Sequence, residues 1–218
     1  MKEYDKMLQG KIYNPFIDGM QEIRSRAHFL CQQYNLLPDT DTKAREEILK
    51  ELVPNRQEGA FLQGPIFFDF GLNIYMGKNS YANFNFTVLD ICPIIIGDNV
   101  FIGPNVSLYA PLHPKCWQDR NQYKQKDGSL TDREYGAPIT IKDNCWICGS
   151  VTVCAGVTIG EGCVIGAGSV VTHDIPDNVF AAGNPCRVIR KITEEDRLKN
   201  HPELSNNQIV KLIRSTKP

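Results

Sequence analysis

Residues 141–171 read IKDNCWICGSVTVCAGVTIGEGCVIGAGSVV and carry an aliphatic residue at every sixth position. These residues are Ile141, Ile147, Val153, Ile159, Ile165 and Val171. A helix repeats its faces every 3.6 residues and a half-buried strand every two residues, so neither produces this pattern. A period of six is typical of a parallel β-helix, in which short strands joined by tight turns form triangular coils of about 18 residues.

The same period continues upstream of a break in the pattern. Its aliphatic positions are Ile96, Ile102 and Leu108 and, in a shifted phase, Met76, Ala82 and Val88. We expect each residue to stack on the residue about 18 positions further on, at the roughly 4.8 Å spacing of neighbouring strands, with the aliphatic side chains inside the prism. A glycine often follows the aliphatic position, and a turn that needs a positive φ is the expected reason. These glycines are Gly97, Gly103, Gly160 and Gly166.

Composition divides the chain into three segments. Residues 1–58 have the three- and four-residue apolar spacing of helices and are predicted to form an N-terminal helical segment. Residues 59–190 are predicted to form the β-helix, interrupted at about 112–137 by a charged excursion loop. Residues 191–218 are predicted to form a C-terminal helical cap, with Ser205 starting a helix that has Ile209, Leu212 and Ile213 on one face. The predicted fold class is an all-β solenoid with helical appendages.

Charge and hydropathy exclude several classes of function. The chain has 24 Lys and Arg residues against 25 Asp and Glu residues, and this balance argues against a nucleic-acid binder. No apolar run has the length of a membrane span, and the first residues lack the apolar core of a signal peptide. We therefore expect a cytoplasmic protein that binds no membrane, with its eight cysteines reduced.

The cysteines raise the question of a zinc site. Cys145 and Cys148 form a CxxC pair, with Cys154 and Cys163 nearby. The period places Cys145 and Cys163 inward on adjacent coils, and places the other two on different sides of the prism. Small buried thiols are therefore the favoured interpretation, and no metal is expected.

The excursion begins at His113, in the sequence Ala110-Pro111-Leu112-His113-Pro114. A solvated or structurally bonded imidazole is the ordinary interpretation of such a histidine. Its position, where a loop leaves a rigid scaffold, favours a general base that removes a proton from a hydroxyl group. On the returning arm of the excursion, Glu134 is a candidate to orient or stabilise the resulting imidazolium.

Several motifs together resemble one family. They are Gly10-Lys11-Ile12-Tyr13, residues 79–85 (NSYANFN), Leu89-Asp90-Ile91-Cys92-Pro93, His113-Pro114, Trp146-Ile147 and residues 181–189 (AAGNPCRVI). They resemble the maltose and galactoside O-acetyltransferases over nearly the whole chain. The resemblance implies a left-handed parallel β-helix, a homotrimer with active sites between neighbouring prisms, and direct transfer of acetyl from acetyl-CoA to an acceptor hydroxyl.

The resemblance also implies roles for individual residues. His113 is the general base, and Asn83 lies at the acceptor site. The oxyanion formed in such a transfer needs hydrogen-bond donors, and backbone N–H groups or the Asn83 amide are the candidates. Asp69 and Asp90 line the acceptor pocket. The residues implied to bind the coenzyme are Trp146, Gly149, Ala167, Thr172, His173, Arg187 and Arg190.

The acceptor is the least determined part of this prediction. Asn14 and Pro15 stand where the family often has an acidic residue, and Cys148 and His173 replace the usual Gly and Lys. The loop after His113 is about nine residues longer than expected. A small glycoside or glucosyl sugar is the preferred acceptor. An antibiotic hydroxyl and a non-catalytic trimeric scaffold are the alternatives, whereas a carbonic anhydrase would need three metal-binding histidines.

Overall fold

The six-residue repeats form short parallel strands stacked into three flat faces around an apolar core. The computed structural model describes residues 1–16 and 19–205. The first face contains β1 (Phe61–Leu62), β4 (Tyr81–Ala82), β7 (Phe101–Ile102), β14 (Trp146–Ile147), β17 (Val164–Ile165), β19 (Val179–Ala182) and β20 (Arg187–Lys191). The second face contains β2 (Ile66–Phe68), β5 (Phe86–Leu89), β8 (Ser107–Tyr109), β15 (Thr152–Cys154) and β18 (Val170–Val171). The third face contains β3 (Ile74–Met76), β6 (Ile94–Ile96), β13 (Ile139–Ile141) and β16 (Thr158–Ile159).

The chain visits the three faces in a fixed order, which defines the corners of the prism. The first corner joins the first face to the second and contains residues 63–65, 83–85, 103–106, 148–151 and 166–169. The second corner joins the second face to the third and contains residues 69–73, 90–93, 110–138, 155–157 and 172–174. The predicted fold class, an all-β solenoid with helical appendages, is confirmed.

The predicted interior positions are all inside the prism. The twelve aliphatic residues of the six-residue period are at most 2% exposed. Full burial of one such side chain stabilises a fold by about 1.5–3 kcal/mol, so this column stabilises the prism along its whole length.

Coil length differs on the two sides of the excursion. Downstream, Trp146 pairs with Val164, 18 residues further on, as predicted. Upstream, Tyr81 pairs with Phe101, 20 residues further on, so the predicted coil length of 18 residues is wrong there. The two extra residues of each upstream coil lie in the second corner, between β2 and β3 and between β5 and β6.

The predicted reason for the glycines is also wrong. Among the described residues, the left-handed backbone positions belong to six asparagines, among them Asn85 and Asn105, to Ser150 and to nine other glycines. Gly97, Gly103, Gly160 and Gly166 are not among them. Close packing explains the glycine at Gly103, because a Cβ atom there would lie 2.6 Å from the backbone nitrogen of Gly149 on the next coil. A side chain at this position would push two coils apart.

Within the described residues, three helices precede the prism: α1 (Glu3–Leu8), α2 (Met20–Leu36) and α3 (Thr42–Leu52). The Asp41 side chain caps α3 by accepting a hydrogen bond of 3.1 Å from the Ala44 backbone nitrogen. The Asn35 amide, on α2, bonds to both the carbonyl and the nitrogen of Ile66, at 2.9 and 2.8 Å. The helix therefore covers the exposed edge of β2, which would otherwise have unpaired backbone groups.

The excursion contains ordered secondary structure. Its elements are β9 (Pro111–Leu112), α4 (Trp117–Arg120), β10 (Tyr123–Lys124), β11 (Leu130–Thr131) and β12 (Tyr135–Gly136). β9 and β12 pair antiparallel, with Leu112 opposite Tyr135, so the base of the excursion is closed by backbone hydrogen bonds. His113 follows β9 directly, and Glu134 immediately precedes β12.

The C-terminal part begins with a strand, since β20 pairs antiparallel with β19. Two 3₁₀ turns (Glu194–Asp196 and Leu198–Asn200) and α5 (Pro202–Ser205) follow it. The predicted amphipathic helix after Ser205 lies outside the described residues. Within the described ranges, no helix combines the length and the apolarity needed to cross a bilayer.

Candidate active site

The returning arm of the excursion is attached to the N-terminal segment at Glu134. The Tyr13 backbone nitrogen donates to the Glu134 carbonyl at 3.0 Å, and its phenol donates to Glu134 Oε2 at 2.5 Å. One residue further along, Asn14 Oδ1 accepts a hydrogen bond of 2.7 Å from the Thr131 hydroxyl. Glu134 is only 9% exposed. The N-terminal segment therefore holds the Glu134 carboxylate in place. This is the carboxylate that was predicted to orient or stabilise the His113 imidazolium.

Burial raises the pKa of the Glu134 carboxyl, and the negative charge of Asp69 adds to this effect. The hydrogen bond from Tyr13 and the electrostatic interactions with His113 and Arg24 act in the opposite direction and favour the carboxylate. Burial, reinforced by Glu134, raises the pKa of Tyr13, so the phenol remains protonated and acts as a donor. His113 thus lies within electrostatic reach of Glu134, while its own side chain is exposed.

Asp69 completes this cluster. Its Oδ1 atom lies 3.2 Å from Arg24 Nε and 3.5 Å from His28 Nε2. Asp69 also lines a cavity of about 420 Å³ between α2 and the second face, together with His28, Cys31, Phe67, Thr87 and Leu89. We call Tyr13, Arg24, Asp69, His113 and Glu134 the second-corner cluster. Three of its members, Asp69, His113 and Glu134, were predicted from the sequence.

Asp90 is not part of this cluster, although it was predicted to line the acceptor pocket. Its side chain is fully buried and accepts hydrogen bonds from the backbone nitrogens of Phe70 at 2.8 Å and Asn73 at 3.2 Å. These donors belong to the longer upstream turns of the second corner, which have extra N–H groups to satisfy. Asp90 is therefore a structural group of the prism, which corrects the prediction.

Asp90→Asn is expected to change how stability depends on pH. Burial raises the pKa of Asp90 from its ordinary 3.8 to about 6, against the opposing backbone hydrogen bonds. The folded state therefore holds this proton more tightly than the unfolded state, and the resulting stabilisation is present below pH 3.8 and lost as the pH rises through about 6. The stability of the wild type relative to Asp90→Asn should fall by about 2–3 kcal/mol between pH 4 and pH 7, measured by urea unfolding.

Asp98→Asn, at a more exposed turn, is the matched control and should leave this pH dependence unchanged. An Asp90→Asn protein whose stability runs parallel to that of the wild type over the whole range would contradict the assignment.

A second group of predicted residues lies at the first corner. Asn83 and Trp146 line one shallow cavity of about 360 Å³, together with Tyr81, Phe101 and Gly103. Asn83 Oδ1 accepts a hydrogen bond of 2.8 Å from the Phe84 backbone nitrogen, which orients the side chain and leaves its NH₂ group as a donor. The Trp146 indole is 54% exposed. This cavity pairs a polar donor with a large apolar surface.

The remaining predicted coenzyme ligands are distributed over the surface. Gly149 and Ala167 are also at the first corner, whereas Thr172 and His173 are at the second and bond to each other at 2.9 Å. Arg187 and Arg190 are exposed on β20. The Arg190 guanidinium is bound to both Asp196 oxygens, at 2.8 and 2.6 Å. Arg187 Nη1 donates to the Cys186 carbonyl at 2.8 Å, which leaves its other N–H groups available as donors.

One protomer therefore holds the predicted site in two parts. His113 and Glu134 are at the second corner and Asn83 is at the first, with the whole second face between them. The sequence did not reveal this separation, since it gives no distances between corners. It also did not identify Tyr13 or Arg24 as site residues. The only available signal was that Tyr13 closes the Gly10–Tyr13 motif.

The cysteines are arranged as expected from the period. Cys145 and Cys163 are buried on adjacent coils, where their thiols donate to the Gly160 and Pro176 carbonyls at 3.0 and 2.9 Å. Cys148 and Cys154 are partly exposed; Cys148 is in the first corner, whereas Cys154 ends β15 on the second face. Among the described residues, no group of three metal-binding side chains converges.

Three family models match the chain. A maltose acetyltransferase hexapeptide capping motif matches residues 6–55. A bacterial transferase hexapeptide model of six repeats matches residues 138–173, and a hexapeptide repeat of succinyl-transferase matches residues 93–109.

Individual proteins match over most of their length. The galactoside O-acetyltransferase of Escherichia coli K12 is 42% identical over 193 residues, covering 88% of this chain and 91% of the relative. A maltose O-acetyltransferase structure from Clostridium difficile 630 has a TM-score of 0.81 at 42% identity, covering 89% of this chain and 99% of that one. A galactoside acetyltransferase in complex with coenzyme A has a TM-score of 0.81 at 40% identity, covering 90% and 94%.

Proposed function

The chain belongs to the family of hexapeptide-repeat acetyltransferases that includes the maltose and galactoside O-acetyltransferases, and we propose that it transfers acetyl from acetyl-CoA to a hydroxyl group of a sugar or glycoside. The observation that carries this proposal is the placement of His113. Its exposed imidazole is next to a rigid strand pair and within electrostatic reach of the buried Glu134 carboxylate. An exposed base with a fixed, buried counter-charge suits proton abstraction from a bound alcohol.

His113 is the general base of the proposed reaction. Its neutral imidazole takes the hydroxyl proton as the acceptor oxygen attacks the thioester carbonyl, and it becomes positively charged in this step. The negative charge of Glu134 stabilises that imidazolium. The proton then passes from His113 to the departing thiolate of coenzyme A. The attack is direct, so no acetyl group is attached to the enzyme.

Charge also develops on the carbonyl oxygen of the acetyl group, and this oxyanion needs hydrogen-bond donors. The Asn83 NH₂ group is the proposed side-chain donor, because its carbonyl oxygen is already bound to Phe84. Removal of one oxyanion donor typically reduces kcat by about 10²–10³-fold.

The surface around Trp146 is the proposed binding site for the coenzyme. The exposed indole offers an apolar face to the pantetheine arm, and Gly149 and Ala167 bring little side-chain bulk beside it. Arg187 is better placed than Arg190 to bind a phosphate group, because Asp196 holds the Arg190 guanidinium.

We further propose that the functional unit is a homotrimer. The two halves of the site are at different corners of one prism, so a neighbouring copy must supply the missing half. The first face also carries a column of aromatic rings, in which Phe61, Phe101 and Trp146 are exposed and Tyr81 is half-buried. The rings of Phe61 and Tyr81 are stacked at 5.8 Å between centroids. An exposed apolar column of this kind is suited to an interface between copies.

A panel of acceptors tests the reaction. The purified protein is incubated with acetyl-CoA and a set of glycosides, free sugars, aminoglycoside antibiotics and simple alcohols, and the release of free thiol is measured. We expect release with glycosides or glucosyl sugars. Release with antibiotic hydroxyls alone would keep the chemistry and change the acceptor. A protein that coenzyme A does not protect against heat, and that releases no thiol with any acceptor, would be a scaffold.

A further inference from the structure

Tyr13 holds the Glu134 residue through both its backbone and its side chain. The backbone forms an isolated antiparallel bridge between the two residues, and the phenol donates to Glu134 Oε2 at 2.5 Å. Tyr13 is itself only 2% exposed, so this hydrogen bond is shielded from water. A buried hydrogen bond to a charged oxygen is among the stronger ones in proteins.

We propose that Tyr13 is a positioning residue for catalysis, which acts on His113 through Glu134 by holding that carboxylate in place at the start of β12, the strand that pairs with the one before His113. This inference rests on the proposed function of His113. It gives the N-terminal segment a direct part in the reaction, beyond covering the end of the prism.

The groups around Glu134 explain why it needs such a donor. Burial and the neighbouring Asp69 both favour the protonated acid, whereas His113 and Arg24 favour the carboxylate. The Arg24 charge is shared with Asp69, which lies 3.2 Å away, so it is only partly available to Glu134. His28 faces Asp69 rather than Glu134, at 3.5 Å. The Tyr13 phenol is therefore a donor to Glu134 that Asp69 does not compete for.

Tyr13→Phe tests the proposal because it keeps the ring and the backbone bridge and removes only the hydroxyl. We expect kcat/KM to fall about tenfold, mostly through kcat, as for loss of one hydrogen bond to a charged group. The acid limb of the kcat/KM profile should also move to higher pH. Without the donor, Glu134 is protonated more readily, so the carboxylate that stabilises the His113 imidazolium is lost at a higher pH.

Incorporation of 3-fluorotyrosine at position 13 provides the opposite change. Fluorine makes the phenol a stronger donor, so the acid limb should move to lower pH. Tyr123→Phe, which removes an exposed hydroxyl on the same excursion, is the matched control and should leave both kcat and the profile unchanged.

A Tyr13→Phe enzyme that loses activity equally at every pH, with the acid limb unmoved, would overturn the proposal and leave Tyr13 a purely structural role. Unchanged kcat and profile would overturn it as well. Failure of the proposed function itself is recognised separately, because the wild type would then release no thiol with any acceptor. In that case the carbethoxylation rate of the His113 peptide, followed against pH by mass spectrometry, still reports whether Tyr13 affects the imidazole; equal pH dependence in wild type and Tyr13→Phe would overturn the proposal.

Discussion

His113→Ala is expected to lower kcat by about 10²–10⁴-fold while leaving the affinity for coenzyme A close to that of the wild type. The large loss follows from the removal of the only proposed proton acceptor for the attacking hydroxyl. Binding of the coenzyme is spared because its proposed contacts, around Trp146 and Arg187, lie elsewhere on the prism. Thiol release gives kcat, and the rise in melting temperature on adding coenzyme A gives the binding.

His201→Ala is the matched control, since this histidine follows the prism in the C-terminal part of the chain and bonds to the Glu195 carbonyl at 3.1 Å. It should retain full activity. Unchanged turnover in His113→Ala would remove this residue from the role of base. A variant that loses both turnover and the thermal response to coenzyme A would point instead to a fault in the fold of the excursion.

The core of the fold could be predicted because its cause is local. Each coil must place one aliphatic side chain per face inside the prism. This requirement produces the six-residue period that is visible in the sequence. All twelve positions chosen from that period are buried. The 20-residue coils were missed because the extra residues at the second corner do not disturb the period on either side. Those extra residues have backbone N–H groups that need hydrogen-bond acceptors, and the Asp90 side chain accepts from two of them. A sequence pattern alone does not identify Asp90 as structural.

The glycines show a different limit. The sequence correctly marked positions where a side chain is excluded, but the reason lies between coils and not in local φ. At Gly103 the excluded volume is occupied by Gly149, which is 46 positions away along the chain. Contacts across such a separation depend on how the excursion leaves and rejoins the prism, which the six-residue period does not encode.

The part of the candidate site that could be predicted lies at the excursion, where the six-residue repeat is interrupted. His113 stands out at the start of the excursion and Glu134 at its end, and the two are brought together because β9 and β12 pair. Tyr13 lies 121 residues from Glu134 along the chain. Its partner is determined by the docking of the N-terminal segment, so only the structure reveals this contact.

The division of the site between two corners leads to a second large effect, in mixed trimers. Asn83→Asp keeps the side-chain oxygen that binds the Phe84 nitrogen and removes the NH₂ donor, so it should lower kcat by roughly 10²-fold or more without disturbing the turn. His113→Ala is similarly inactive. When the two variants are co-expressed with different tags and purified through both tags, we expect the mixed trimers to recover about a third of wild-type activity.

The recovery follows from the geometry. If each active site takes His113 from one protomer and Asn83 from its neighbour, any trimer containing both variants has one site with two intact residues. The mixed trimer can contain two His113→Ala copies and one Asn83→Asp copy, or the reverse. In both cases, one of the three interfaces pairs an intact His113 with an intact Asn83. Each variant co-expressed with a differently tagged copy of itself is the control and should stay inactive.

Mixed trimers without activity would show that both residues act within one protomer, since each protomer then carries one defect and no site is complete. In one rigid prism, the second face separates His113 from Asn83, so the two residues could not reach the same substrate. For both to act within one protomer, the excursion would have to fold back over the first corner. Recovery of activity, in contrast, needs no movement of the prism at all. The experiment therefore tests the rigidity of the scaffold as directly as it tests the assembly of the site.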